Sequence, residues 1–331
     1  MEPFSILKIM AETPSNTDPI LTKYFKIRLA SMHPDREITF DIYIMINLRY
    51  VLYMRAGSRF EGEKLEHFMS RRADVFYIRE EERGTYKSYI KQRVDDEGLT
   101  ASEKALILKE SSFSLVEELF ENPKVDEALE ESKSVISNFV DFINKEPEAV
   151  AGLIGLSSHD FYTYNHSLDV MVYSLGLGLK AGFTSKEDLM DLGRGALFHD
   201  LGKRKVPVEI ITKKGGLDEA EWAQMKRHPL FGLQILNDFP DISDNIKACV
   251  FEHHENHIGN GYPQGLRGED IHPMARVVAL TDTYDALTTK RSYNVAMPPT
   301  EALTLMKEKL SGRFDPDLLR AIYNVLFKLG L

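Results

Sequence analysis

The chain has 331 residues, 43% hydrophobic and 28% charged, a balance ordinary for a globular protein and unlike that of disordered or collagen-like chains. Its 51 acidic against 41 basic residues give a formal net charge of −10, which argues against a general binder of nucleic-acid polymers. The longest apolar stretches, such as 40–54, are interrupted by Asp41, Asn47 and Arg49, so no membrane span is expected.

The N-terminus lacks the basic, apolar and small-residue succession of a signal peptide. A single cysteine, Cys249, cannot form an intramolecular disulfide and reads as a small buried hydrophobe, so a cytoplasmic location is expected.

Residues 1 to about 20, with Pro14 and Pro19 among polar neighbours, read as a leader. The β-branched and aromatic run Ile38–Ile46, a polar interruption and the run Tyr50–Met54 predict a β-hairpin. A helix over Glu61–Arg72 and a strand over Asp74–Ile78 follow, giving a small α/β domain over 1–99. From Ser102 a long helical pattern runs to about Asn144 with a break at Asn122-Pro123, and 100–145 reads as a helical linker. The remainder, 146–331, is nearly all helix-periodic, with turns at Gly182, Gly215-Gly216, Pro240 and Gly259–Pro263. The fold class is mainly α.

Within that last part, histidines and aspartates fall at helix ends and on apolar faces. His166 lies near the start of an apolar helix, and His199-Asp200 follow the helical pattern Leu189–Phe198. His228 is expected to close a helix begun at Asp218, where Asp218 and Glu221 have capping-box spacing and Pro229 marks the stop. His253-His254 end the apolar segment 246–251, and Asp282 sits in a helix otherwise fit for the core. Any one of these has an ordinary explanation as a cap or a paired buried group. Together they need partners, and two metal ions would satisfy them all.

The order of motifs resembles the HD-GYP family of cyclic-di-GMP phosphodiesterases, a branch of the HD superfamily of metal-dependent phosphohydrolases. The matching residues are His199-Asp200-Leu201-Gly202-Lys203, Val206-Pro207, His228-Pro229 with Gly232, His253-His254-Glu255 and Gly259-Asn260-Gly261-Tyr262-Pro263. Further on come Gly265-Leu266-Arg267-Gly268, Asp282-Thr283-Tyr284-Asp285-Ala286-Leu287, Arg291, Tyr293 and Phe314-Asp315-Pro316, so the likeness covers roughly residues 160–325.

The resemblance implies an HD-type helical bundle binding two transition metals, with iron the first choice and manganese next. It implies one ion on His166, His199, Asp200 and Asp282, and a second on Asp200, His228, His253 and His254, with Asp200 bridging. It implies hydrolysis of cyclic-di-GMP to linear pGpG, a hydroxide between the metals being the nucleophile. Lys203 and Arg291 would contact the phosphate, Tyr262 the substrate, and the Gly259–Pro263 loop a protein partner. Glu255 and Asp285 read as groups orienting ligands.

Three positions depart from the family pattern. Tyr162 stands where some members carry a third-metal glutamate, so two metals are expected. Ile258 replaces the aspartate before the loop glycine, and Asn294 a basic residue near the phosphate. Ile258 and Asn294 keep a second function open, that of a cyclic-dinucleotide sensor or adaptor with slow turnover. The motifs Asp41–Ile44 and Tyr50–Gly57 resemble a small domain found upstream of some HD-GYP modules and imply a regulatory or docking role. The other histidines, His33, His67, His159, His257 and His272, read as structural or exposed.

Overall fold

Alternating burial starts the N-terminal unit. In β1 (Tyr24–Arg28) Phe25 and Ile27 point inward, and in β4 (Val75–Arg79) Phe76 and Ile78 do the same. This is a computed structural model, and it describes residues 24–34, 36–62, 75–121, 125–146, 153–154, 163–213, 215–289 and 296–327. The expected helix over Glu61–Arg72 lies, beyond residue 62, outside them.

The hairpin predicted from the two apolar runs is present as β2 (Ile42–Ile46) and β3 (Arg49–Met54). Its turn residues Asn47 and Leu48 both take positive φ, 49° and 62°, the two-residue geometry that matches the twist of the flanking strands. All pairings are antiparallel and the strand order is β1-β4-β2-β3.

The sheet buries Phe25, Ile27, Phe76 and Ile78 with Tyr86, Tyr89 and Ile90 of α1 (Arg83–Val94). Neither β1 nor α1 was read from the sequence. β1 alternates its two apolar residues with Lys26 and Arg28, and α1 presents only that three-residue stripe on a strongly polar helix.

The linker pattern resolves into α2 (Ala101–Glu121) and α3 (Asp126–Lys145), on either side of the expected break. Apolar residues of α3 recur at Leu129, Ile136, Phe139, Val140 and Ile143, the stripe of a helix buried on one side. α2 serves both cores: Ile107 packs with the sheet, whereas Ala105, Leu108, Leu115, Val116 and Leu119 join the helical core.

Further helices among the described residues are α4 (Thr163–Lys180), α5 (Lys186–Phe198), the short α6 (Val208–Ile211), α7 (Glu219–Met225), α8 (His228–Leu236), α9 (Asp244–Glu252), α10 (Pro273–Thr288), α11 (Pro299–Glu308) and α12 (Pro316–Phe327). A 3-10 turn, Leu201–Lys205, joins α5 to α6. The fold is mainly helical with one small antiparallel sheet, as the sequence implied. Among the described residues no helix is long and apolar enough to cross a membrane.

One expectation fails on direction. His228 does not close the helix that starts after Asp218. That helix, α7, has the predicted capping box but ends at Met225, and His228 opens α8 with Pro229 in its first turn. Proline suits a first turn because its missing N–H has no intrahelical partner there, so the same residue that reads as a stop marks a start.

Two close crossings fix where the helix ends meet. α5 packs on α9 with Gly195 against Cys249, whose thiol burial pushes well up, so it acts as a small apolar group. The 3-10 turn packs on α8 with Gly202 against the His228 carbonyl and the Gly232 amide. A Cβ on Gly202 would lie 1.8 Å from that carbonyl oxygen, so only glycine permits the approach.

Gly202→Ala is therefore expected to destabilise the protein by at least about 1 to 3 kcal/mol, because backbone on both sides has no room to give. Gly216→Ala, where an added Cβ meets nothing within 4 Å, serves as the control. Equal midpoints for the two variants in denaturant unfolding would contradict this account of the crossing.

Candidate metal centre

Three of the site histidines stand at helix ends and share one device. His199 ends α5 and its Nδ1 donates to the Ala196 carbonyl at 2.7 Å. His253 ends α9 and donates to Val250 at 2.9 Å, and His228, just past α7, donates to Met225 at 2.9 Å. Each bond reaches three residues back to a carbonyl at a helix C-terminus, where carbonyls lack intrahelical partners. The ring satisfies that carbonyl and is locked with its proton on Nδ1, leaving Nε2 as the acceptor nitrogen.

His166 lies inside α4, where the carbonyls of the preceding turn are engaged in the helix. Its Nδ1 instead meets Asp285 Oδ2 of α10 at 2.6 Å. Asp285 is fully buried and orients this ring, as its place in the motif suggested. Glu255 does a different job from the one expected. It accepts the backbone N–H groups of Gln264 (2.6 Å), Gly265 (3.1 Å) and Leu266 (3.0 Å), and so holds the loop after Pro263 rather than a ring.

All seven proposed ligands come together, in two groups. His166, His199 and Asp282 form one, and Asp200, His228, His253 and His254 the other, the candidate ligand atoms of each lying within 4.8 Å of one another. Asp200 stands between them. Its Oδ2 faces His199 Nε2 at 3.4 Å and His166 Nε2 at 3.6 Å, while Oδ1 faces His228 Nε2 at 3.3 Å. Asp282 Oδ1 lies 3.2 Å from His166 Nε2.

Burial sets the protonation of this cluster. It pushes His228 down to about 4 and His254 down to about 3, and it holds His253 well below the ordinary histidine value. At neutral pH these three rings are uncharged. His228 Nε2 and His253 Nε2 nevertheless face each other at 3.2 Å, although both rings have already committed their single proton at Nδ1. Two bare lone pairs in a buried site repel one another, and a cation between them turns that repulsion into coordination. The residues thus fit a metal ion on a property of their own geometry.

His166 behaves oppositely. Burial alone would lower it, but hydrogen bonds to Asp282 and Asp285 raise it to about 9, so at neutral pH without a cation it carries a second proton on Nε2. The carboxylates mirror this. Burial would raise Asp200 and Asp282, yet Lys203 and His199 around the first, and His166 against the second, hold both well below the usual range.

Lys203 Nζ lies 2.5 Å from Asp200 Oδ2, part-exposed at the edge of the cluster. Tyr262 stacks on the His254 ring with centroids 4.7 Å apart. Its loop is shaped by Gly259 at φ 81° and by Asn256, which accepts from the Asn260 amide at 3.2 Å. His257 lies under that loop, its backbone N–H on the Arg313 carbonyl, and is not a member of either ligand group. Arg291, Tyr293, Asn294, Tyr162, His67 and His159 lie outside the described residues. Trp222, which no motif singled out, meets Tyr262 edge-on at 6.3 Å.

A model of the HD domain family matches residues 149–318, and such domains bind divalent metal ions. A protein of Pseudomonas aeruginosa named cyclic di-GMP phosphodiesterase is 34% identical over 222 residues, which is 66% of this chain and 52% of that one. A Vibrio cholerae protein named 3'3'-cGAMP-specific phosphodiesterase 3 is 37% identical over 165 residues, 50% of this chain and 35% of that one. The chain thus spans about half the length, or less, of these curated relatives. A solved structure titled as an HDG"Y"P protein from Bdellovibrio bacteriovorus superposes with a TM-score of 0.71 at 26% identity, covering 92% of this chain and 100% of that one.

In chelator-treated protein, Asp285→Asn removes a charge that holds the His166 proton, so His166 is expected to titrate clearly below about 9 by NMR. A raised folded pKa stabilises fully below the unfolded value of about 6.5 and loses that stabilisation as pH rises through about 9. The variant should therefore be less stable than wild type by on the order of 2 kcal/mol at pH 6, and the gap should narrow toward pH 9. A gap that is flat across this window, or widens, would show that Asp285 acts on something other than His166.

Proposed function

The chain belongs to the HD domain family, with the motifs of its HD-GYP branch, and from that premise we propose that it is a metal-dependent phosphodiesterase opening cyclic-di-GMP to linear pGpG. One observation carries the reading: His228 Nε2 and His253 Nε2, both bare, face each other at 3.2 Å beside the Asp200 carboxylate, which splits its two oxygens between two histidine groups.

His166, His199, Asp200 and Asp282 would hold one cation, and Asp200, His228, His253 and His254 the other. The donor set is all nitrogen and oxygen with no cysteine, which suits iron, or manganese next, better than a structural zinc. Such ions supply Lewis acidity toward a phosphoryl oxygen and lower the pKa of water.

The chain's own residues do the rest. Asp200 fixes the spacing of the two groups. Lys203, three residues on, offers a cation at the same carboxylate edge, aimed at the charge that grows on a phosphoryl centre. Arg291 would add a second phosphate contact, and Tyr262, held by its stack on His254, forms one wall beside the ligands. Asp285 positions His166, and the carbonyls of Ala196, Met225 and Val250 position the rings of His199, His228 and His253.

The names of the relatives support a cyclic dinucleotide as substrate, with both di-GMP and cGAMP among them. The single cysteine supports a cytoplasmic setting, and half-exposed Ile258 beside the Gly259–Pro263 loop supports that loop as a docking point for a protein partner.

Anaerobically purified protein should contain two transition-metal ions per chain by elemental analysis, iron foremost. Loaded with them, it should convert cyclic-di-GMP to pGpG, and Asp200→Ala should lower the rate by roughly three orders of magnitude or more. Tight binding without turnover would replace the enzyme by a sensor. Absence of metal with every ligand intact would remove the basis of both.

A further inference from the structure

We propose that Trp222 is the nucleobase platform of the substrate site: one base of the cyclic dinucleotide stacks on its exposed indole while the phosphate lies at the histidine–aspartate cluster. The inference deepens the phosphodiesterase reading and rests on it.

Three aromatic contacts lead outward from the metal ligands. His253 and His254 lie ring to ring at 4.1 Å, His254 stacks on Tyr262 at 4.7 Å with 29° between planes, and Tyr262 meets Trp222 at 6.3 Å and 78°. Trp222 ends this track with 46% of its surface open. A lone exposed apolar residue needs no explanation. This one is placed by ring contact on the ring that touches a ligand, which a chance surface residue is not.

Its surroundings fit a base. α7 packs on α6, whose Val208 (61%) and Ile211 (37%) are exposed as well. α6 directly follows the 3-10 turn that carries Lys203. A cation for phosphate and an apolar, aromatic shelf are thus built on adjoining short elements. In a nucleotide the phosphate and the base are separated by one sugar, so a base shelf must lie near the phosphate site, and Trp222 is linked to the ligand His254 through Tyr262 alone. Purines stack on such rings by dispersion and desolvation whatever their edge groups. The platform therefore predicts tight holding of a purine, with weak discrimination between guanine and adenine at this position.

The chain has one tryptophan, so its emission reports this residue alone. Titrating the EDTA-treated 331-residue chain with cyclic-di-GMP should quench that emission, saturably, and cyclic GMP-AMP should do so comparably. In the metal-loaded enzyme, Trp222→Ala should raise KM for cyclic-di-GMP by roughly 5- to 150-fold, the range that one stacked base is worth, with a much smaller change in kcat. Trp222→Phe should restore most of the loss, which a merely structural role for the indole bulk would not require. A KM unchanged in Trp222→Ala, together with unquenched emission at saturating dinucleotide, overturns the platform but leaves the phosphodiesterase standing. Quenching by a dinucleotide that the loaded wild type does not hydrolyse sinks the enzyme reading and keeps the platform. Neither quenching nor hydrolysis removes both.

Discussion

Asp200 sits where nitrogens of two histidine groups come within 3.3 to 3.6 Å of a single carboxylate, and the architecture around it follows from making that possible. A buried carboxylate is costly unless it is paired, and three neutral rings pushed together are costly unless something lies between them. The chain tolerates both because its helices are held by a large apolar core, to which Phe198 and Leu201 on either side of His199-Asp200 belong. Glycines at the crossings, Gly195 against Cys249 and Gly202 against His228, then let these elements approach closely enough for the helix ends to meet. Helix C-termini suit the task, because a histidine there finds a free carbonyl three residues back and is aimed by it. Three of the five ligand rings, His199, His228 and His253, use that solution. His166, inside a helix, cannot, and the chain supplies Asp285 from another helix instead.

The sheet unit is joined to this bundle through α2 rather than merely tethered to it. Arg83 of α1 binds Glu118 of α2 at 2.7 Å and also Glu131 of α3, while its guanidinium covers Phe25 of the sheet at 4.1 Å. From the other side, Arg204 in the 3-10 turn donates to the Leu119 carbonyl near the end of α2, where a cation is favourably placed. Lys109 of α2 reaches into the bundle and pairs with Asp169 of α4 at 2.7 Å, both almost fully buried. Asp169 is three residues from His166, and its carboxyl feels both Asp285 and His166. Burial raises the Asp169 carboxyl despite the lysine beside it. Breaking such a pair from one side leaves a charge stranded in the interior, typically a matter of 3 to 5 kcal/mol. The linker helix is therefore part of the electrostatic support of the cluster.

What the sequence disclosed follows from which signals are local. Adjacent His-Asp and His-His pairs, a capping box at Asp218 and Glu221, and two β-branched and aromatic runs around a short polar interruption each lie within a few residues, and the structure displays those elements. His228 shows the limit of a local cue, since a proline after a helical run fits both a stop and the first turn of the next helix. The rest depends on distance in the chain. Nothing near Asp169 announces Lys109, and Glu255 carries no sign that its partners are amides nine to eleven residues ahead rather than a ring. Trp222 has no periodic context on α7, which buries none of its residues, and its meaning comes only from Tyr262 folding back over His254.

The net charge of −10 acquires a sharper meaning at this site. Without cations the cluster presents Asp200, Asp282 and Asp285 against His166 and Lys203, inside a protein already negative overall, so the charge of a phosphodiester adds nothing to its binding and only the stacked base holds it. On the proposed reading, two divalent ions outweigh the carboxylates that bind them, and the local field reverses while the rest of the surface stays acidic. Attraction of the phosphate then depends on prior loading of the metals, whereas stacking of a base on an indole depends on neither charge nor metal. The two halves of a nucleotide would be recognised by two independent physical effects on adjoining elements, one switched by metal loading and one always present. Such a division lets base and phosphate contributions to affinity be separated by salt, since only the charged half is screened as ionic strength rises.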